Sequence, residues 1–297
     1  MVPNFSEGRH SDVMDAIVDA LVVDGARLLH RQADPDHNRL DTTLAGSADA
    51  VRRSALAGAA EAARSIDMNE HHGNHPRMGA LDVLPFVPVH GVGMADCVAL
   101  ARDVAREIGD GLGIPTYCYG EAALSPERSS LAEVRKGEFE GLRDDVAAGR
   151  RLPDFGPQSI GSAGATAVGA RKPLVAFNVY LEGTEEAAKA VARTLRESSG
   201  GLPTVRAIGF AIPDRGCVTV SMNLTDFEVV APSAALDAVR EAGASHGMRV
   251  LDTEIVGLVP AAALPDEPGD TLLLRGFDPA TQVFETAVGD DVREENE

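Results

Sequence analysis

The stretch Asn74-His75-Pro76-Arg77-Met78-Gly79-Ala80-Leu81-Asp82 places a titratable imidazole, a fixed cation and two backbone-shaping residues side by side. A histidine is the usual general acid or base near neutral pH. Pro76 cannot continue a helix, and it biases His75 toward an extended conformation. Gly79 permits a backbone that other residues resist. An apolar, strand-like run, residues 83–89, follows at once. His75 and Arg77 are therefore expected on a bent loop entering a strand, a common way to present catalytic groups. On local composition alone, a surface loop with an incidental histidine reads as well.

Other polar clusters compete for attention. His71, His72 and His75 suggest a metal, since His71 and His75 are four apart. Gly73 and Pro76 break such a helix, and no cysteine completes the set, so no metal is expected. Asp34-Pro35-Asp36-His37-Asn38-Arg39 lies between two predicted strands. A hairpin loop explains Asp34, Pro35 and Asn38 but does not require His37 and Arg39 together. In Pro3-Asn4-Phe5-Ser6-Glu7-Gly8 a strand ends in a polar loop, which a helix N-cap region would also explain. The passage Phe155-Gly156-Pro157-Gln158-Ser159-Ile160-Gly161-Ser162-Ala163-Gly164-Ala165-Thr166 has neither the Gly-Lys-Ser/Thr of a P-loop nor the setting of a dinucleotide fingerprint. It offers backbone polar groups beside small side chains, against which a flat heterocycle could lie. An inter-domain linker explains it equally. Arg171 and Lys172 follow, adjacent cations that suggest a local anion site.

These groups need a frame, and the apolar pattern supplies one twice. Strands are expected at 2–5, 26–30, 40–45 and 80–89, with helices at 11–23 and from a Ser47 cap to about 67. The order is β-α-β-β-α-β. A helix at 95–112, a strand at 115–119 and a helix at 127–142 extend this half. The passage 153–170 is read as the crossing to a second half, where it would line a cleft. There, strands at 174–181, 204–212, 217–224 and 249–256 alternate with helices capped by Thr184 and Ser233. The order repeats the split βαβ of ferredoxin-like units. The acidic tail from Asp266 is expected to be loosely held, apart from a short strand at 271–274. The fold class is α/β (α+β), with domains at 1–172 and 173–297.

Composition sets the outer bounds. The 297 residues are 44% hydrophobic, enough for a substantial core. No apolar run approaches the ~20 residues that span a bilayer. The N-terminus has no basic, apolar signal core. The three cysteines, Cys97, Cys118 and Cys217, are scattered, as in a reducing cytoplasm. A net charge of -19 disfavours nucleic acid.

In this order the clusters resemble the formiminotransferase family. The resemblance runs from Val2-Pro3-Asn4-Phe5-Ser6-Glu7-Gly8 through Asp34 to Arg39 and His75 to Pro88. It continues with Tyr119-Gly120-Glu121-Ala122-Ala123, Pro153-Asp154-Phe155-Gly156-Pro157 and Gly164-Ala165-Thr166-Ala167-Val168-Gly169-Ala170-Arg171. It ends with Phe177-Asn178 and Val256-Gly257-Leu258-Val259-Pro260. It implies transfer of a formimino group from N-formimino-L-glutamate to N5 of tetrahydrofolate, a step of histidine breakdown. It also implies a folate tunnel between two subdomains, a cytoplasmic homodimer, and tetrahydrofolate as co-substrate with no metal. The family's catalytic histidine falls on His75, and its folate segment on Gly156, Pro157, Gln158, Ser159, Ile160, Gly161, Ser162, Ala163 and Gly164. Both substrates are anionic, so Arg39, Arg77, Arg171 and Lys172, with Asn4, His37 and Asn38, are the candidates for holding them. Formyl transfer between 5-formyltetrahydrofolate and glutamate, and a folate-binding homologue without catalysis, are the other readings. The segment departs from the family at His30-Arg31-Gln32-Ala33, where an acidic residue is usual, and at Ala163, near an expected aromatic.

Overall fold

The computed structural model describes residues 1–89 and 91–289. They form two compact units that divide between Arg171 and Lys172.

In the first unit, strands β1 (Asn4–Phe5), β2 (Ala26–Asp34), β3 (Arg39–Gly46) and β4 (Leu81–Phe86) alternate with helices α1 (Ser11–Leu21) and α2 (Ala48–Ser65). The expected order is present. Helix α1 buries Met14, Ile17, Val18 and Leu21, the i, i+3, i+4, i+7 stripe of an amphipathic helix. It meets a stripe of small residues on α2, including Ala55, Gly58 and Ala59. A Cβ on Gly58 would overlap Leu21, so the glycine sets how closely the helices approach. Ser47 caps α2 by accepting the Ala50 N–H. Helix α3 (Met94–Arg106) runs into a π-helical turn, Glu107–Gly111, before β5 (Thr116–Gly120).

Three expectations fail in this unit, each for a local reason. The passage read as a crossing contains a strand, β6 (Thr166–Ala170), which sits inside the sheet between β4 and β5 and runs parallel to both. Its residues, Thr-Ala-Val-Gly-Ala, lack the bulk that signals a strand. They are small because Tyr119 lies across them: a Cβ on Gly169 would enter its ring. The single helix at 127–142 is instead a short 3₁₀ turn, α4 (Leu131–Val134) and α5 (Glu138–Ala147). Gly137, at φ 80°, breaks the run in the left-handed region. The strand expected to reach Val89 ends at Phe86. Among the described residues the sheet order is β2-β3-β1-β4-β6-β5. The first four strands are the antiparallel ferredoxin-like set, and β6 and β5 are added in parallel on the β4 side.

The second unit repeats the motif without additions. Strands β7 (Val175–Glu182), β8 (Val205–Ile212), β9 (Cys217–Leu224) and β10 (Arg249–Val256) form an antiparallel sheet in the order β10-β7-β9-β8. Helices α6 (Glu185–Leu195) and α7 (Pro232–Ala244) pack on it. Thr184 caps α6 as expected. Helix α7 starts one residue before Ser233: Pro232 takes the first helical position, where its missing N–H costs nothing. Residues 271–274 form no strand beyond one bridge, Thr253 to Leu274. The segment from Asp266 to Gly289 is better held than expected, with Leu272 fully buried and Val259 hydrogen bonded to Gln282 and Phe284. The remainder of the acidic tail, 290–297, lies outside the described residues.

Candidate active site

All of the predicted site residues except Lys172 fall in the first unit. The His75 loop is built by its neighbours. Ser6, at the end of β1, donates its hydroxyl to the Gly79 carbonyl at 2.8 Å, and its N–H bonds to Ala80. On the other side, Ala165 N–H reaches the Met78 carbonyl at 2.9 Å, and Ala80 N–H reaches Ala163 at 2.8 Å. Gly79 and Gly164 form a bridge. Gly164 has φ 71°, and a Cβ on it would strike the Met78 carbonyl and the Gly79 backbone. The glycine passage is thus stitched to the histidine loop by backbone hydrogen bonds. Its other end, Gly156, backs onto Gly109. Between them Pro157, Gln158, Ser159, Gly161 and Ser162 are exposed, and Ile160 and Ala163 are half-buried.

The tautomer of His75 is fixed by geometry. Its Nδ1 lies 2.7 Å from the Pro76 carbonyl, which can only accept. Nδ1 therefore carries the proton, and Nε2 presents the lone pair. Burial, followed by the guanidiniums of Arg39 and Arg135, holds the ring far below the usual histidine value, at about 3, against the opposing pull of Asp82. His75 is neutral at physiological pH.

Asp82, in β4, is the buried anchor of the site. It is 0% exposed and accepts from Arg39 Nη1 at 2.9 Å, Arg135 Nη2 at 3.0 Å and the Met78 N–H at 2.8 Å. Burial opposes its charge, but Arg135, Arg39 and the Met78 N–H outweigh that and lower its pKa. Arg39 also bonds Asp41 at 3.2 Å and Asn4 Oδ1 at 2.9 Å. Arg135 has a buried Nε with no hydrogen-bond partner. Two guanidiniums thus stand beside the histidine, countered by the buried Asp82 and by the more exposed Asp41.

The remaining predicted residues divide by what they touch. Asn38, at φ 50°, accepts from the Gly8 N–H and donates to the His72 carbonyl, tying three loops together. His37 lies next to the reactive loop: its ring is edge-on to His75, with centroids 5.9 Å apart. Its Nδ1 is 2.6 Å from Asp34 Oδ2. All five N–H groups of Arg77 are occupied, by Glu138, Glu140 and His71, so the side chain clamps the start of α5 to the loop. Arg171 is bonded to Tyr119. Lys172 belongs to the second unit, where it meets Asp226 at 2.6 Å and Glu228 at 3.3 Å. The imidazoles considered for a metal do not converge: His71 Nε2 donates to the Asn38 carbonyl, and His72 is exposed. Among the described residues no group of His, Cys, Asp and Glu has a metal-holding arrangement. No helix among them is long and apolar enough to cross a membrane.

Sequence reasoning missed Arg135 and the role of Asp82. Arg135 sat in what read as a single helix at 127–142. Its only signal was an Arg-Lys pair just ahead of a glycine. Asp82 stood in the quoted stretch, but a carboxylate in a buried strand calls for cations, and that was the available clue.

A neutral histidine with Nδ1 pinned, stitched to a small-residue loop within the first βαββαβ unit, can accept a proton at Nε2. The description "Formiminotransferase domain, N-terminal subdomain" matches residues 1–171, and "Formiminotransferase domain" matches 176–268. The chain belongs to the formiminotransferase family, a family of transferases. Glutamate formimidoyltransferase of Thermoplasma acidophilum is 43% identical over 281 residues, 93% of each chain. That of Streptococcus pyogenes serotype M1 is 40% identical over 287 residues, 96% of each. The rat formimidoyltransferase-cyclodeaminase is 42% identical over 273 residues, 89% of this chain and 50% of that longer one.

Proposed function

We propose that this protein transfers the formimino group of N-formimino-L-glutamate to N5 of tetrahydrofolate, giving 5-formiminotetrahydrofolate and L-glutamate, with His75 as general base. The observation that carries the reading is the Nδ1 of His75 held on the Pro76 carbonyl, with the bare Nε2 on a loop stitched to the 156–164 segment. The names of the relatives, glutamate formimidoyltransferase among them, support the same reaction.

N5 attacks the formimino carbon, and the N5–H proton passes to Nε2 of His75. The bond from that carbon to the glutamate nitrogen then breaks, and that nitrogen gains a proton. A positioned base contributes about 10²–10⁴-fold to such a step. Tetrahydrofolate lies against the exposed backbone of the 156–164 segment in this reading. Arg77 acts by holding loops rather than by gripping substrate, because its donors are already engaged inside the protein, whereas Arg39, with one bond from each guanidinium nitrogen, is the candidate for holding a substrate carboxylate. The mechanism has no metal step, and a cytoplasmic homodimer completes the proposal.

The test is a spectroscopic assay with tetrahydrofolate and formiminoglutamate, wild type beside His75→Ala. The wild type is expected to form 5-formiminotetrahydrofolate, and the variant to lose about 10²-fold or more. A wild type that binds folate and makes no product overturns the reaction. A variant at full rate overturns the role of His75. Formylglutamate as donor distinguishes formyl from formimino transfer.

A further inference from the structure

The reaction moves two protons, one off the attacking nitrogen and one onto the leaving nitrogen. His75 offers one bare nitrogen. The structure points to a second proton carrier: we propose that His37, oriented by Asp34, is the general acid that protonates the departing glutamate nitrogen. The proposal rests on the formimino-transfer reading above.

Three observations carry it. The two imidazoles stand edge to face with ring centroids 5.9 Å apart, so both rings border the same space beside the loop. Next, His37 is held as a paired acid is held. Its Nδ1 bonds Asp34 Oδ2 at 2.6 Å, while Asp34 Oδ1 accepts the backbone N–H of His37 and of Asp36. The ring is thereby held through Nδ1, which makes Nε2 the nitrogen that would meet a substrate. Burial works against the Asp34 charge, but these hydrogen bonds prevail and lower its pKa, so a carboxylate stands beside the ring whenever it takes up a proton. Last, the side chain is 44% exposed, so it exchanges protons with water between turnovers. His75 has different surroundings, with Arg39 and Arg135 bearing on it and Asp82 opposing them.

The step balances. His75 Nε2 takes the N5 proton as the new carbon–nitrogen bond forms. The imidazolium of His37 gives a proton to the glutamate nitrogen as the old bond breaks. His75 then returns its proton to solvent, and His37 regains one from it.

The experiment is a leaving-group comparison. Initial rates are measured with N-formimino-L-glutamate and with a thioimidate analogue in which sulfur replaces the glutamate nitrogen, so that a thiolate departs without protonation. The enzymes are wild type, His37→Asn and Asp34→Asn. Asparagine at 37 keeps an amide N–H for Asp34, so the loop is retained while the outer nitrogen is lost. His37→Asn is expected to lose on the order of 10²-fold on the natural donor and to recover most of that on the thioimidate. Asp34→Asn is expected to follow the same pattern less severely. A His37→Asn rate within about threefold of wild type overturns the assignment. Equal losses on both donors overturn it as well, by showing a merely structural or binding role. If wild type transfers from neither donor, the formimino reading itself fails and this assignment falls with it.

Discussion

Arg135→Met should alter the chemistry of His75 while leaving the fold nearly as stable, whereas Asp82→Asn should wreck the fold locally. The asymmetry follows from the count of charges. Asp82 is fully buried between two guanidiniums. Losing its charge takes the buried carboxylate from Arg135 and leaves Arg39 with Asp41 alone, and breaking a buried pair in this way costs about 3–5 kcal/mol. It also weakens the bond that holds the Met78 N–H at the foot of the histidine loop. Arg135 differs. Its removal leaves Asp82 paired with Arg39, and it eliminates a buried Nε that bonds to nothing. Desolvation is the leading influence on this guanidinium and lowers its pKa, a sign that burial works against its charge. Methionine keeps the length of the stem, so packing loss is small, and a change within about 1 kcal/mol is expected. Arg135 nevertheless bears on His75, and for a separation on the order of 8 Å and an effective dielectric of roughly 20–40 a unit charge is worth about 1–2 kcal/mol, roughly one pKa unit. The acid limb of kcat/KM in Arg135→Met should therefore rise by about one unit. Urea titration at pH 7.5 and single-turnover rates from pH 4 to 8 measure the two halves. Equal destabilisation by both substitutions, or an unmoved acid limb, would refute the reasoning.

Three further outcomes follow from the same geometry. Gly164→Ala forces a Cβ into the Met78 carbonyl at a φ of 71°. It should cost on the order of 2–4 kcal/mol and weaken folate binding in a calorimetric titration. Stability should rise with pH between about 5 and 7. His71 and His75 are both lowered from 6.5, chiefly by burial, so the unfolded chain binds more protons in this window. Their contribution is complete above the unfolded value and is lost as pH falls toward the folded ones. For half-buried His75 the discounted loss by pH 5 is about 1–2 kcal/mol, read from urea midpoints. Finally, the acid limb of kcat should lie above that of kcat/KM, because an anionic substrate bound beside His75 offsets the neighbouring cations.

The order of elements was legible because burial follows period: α1 and β7 carry their apolar residues where a helix and a strand need them. Strand β6 was hidden by its smallness. Where Tyr119 covers a strand, glycine and alanine are the residues that fit, and these are also linker residues. The break at Gly137 was equally hard to see, since a glycine within a charged run is tolerated in many helices. At the site, His75 and the glycine passage could be picked out locally, but the charges that tune the histidine could not. Arg39, Asp82 and Arg135 are 43 and 53 residues apart in sequence and meet only through the sheet. The arginines proposed to hold substrate were judged by charge alone. The structure shows Arg77 spent on Glu138, Glu140 and His71, an engagement that no spacing rule announces.

That buried cluster also resolves an apparent conflict between composition and the proposed chemistry. A chain of net charge -19 repels anionic substrates at long range. Surface charges are screened beyond about 8 Å at physiological salt, however, whereas buried ones are screened much less. The cations around Asp82 therefore dominate close to His75 even though the whole molecule is acidic. They come with a consequence for catalysis. A histidine at about 3 is a weak base, too far from neutrality to remove protons efficiently. In the proposed reaction the bound carboxylates of the substrates return it toward the working range. On that reading the imidazole of the empty site is neutral and feebly basic, and its basicity rises when an anionic donor or acceptor occupies the neighbouring space. The same cations that disfavour protonation of the free enzyme then favour the anionic complex, so binding and activation of the base are one electrostatic event.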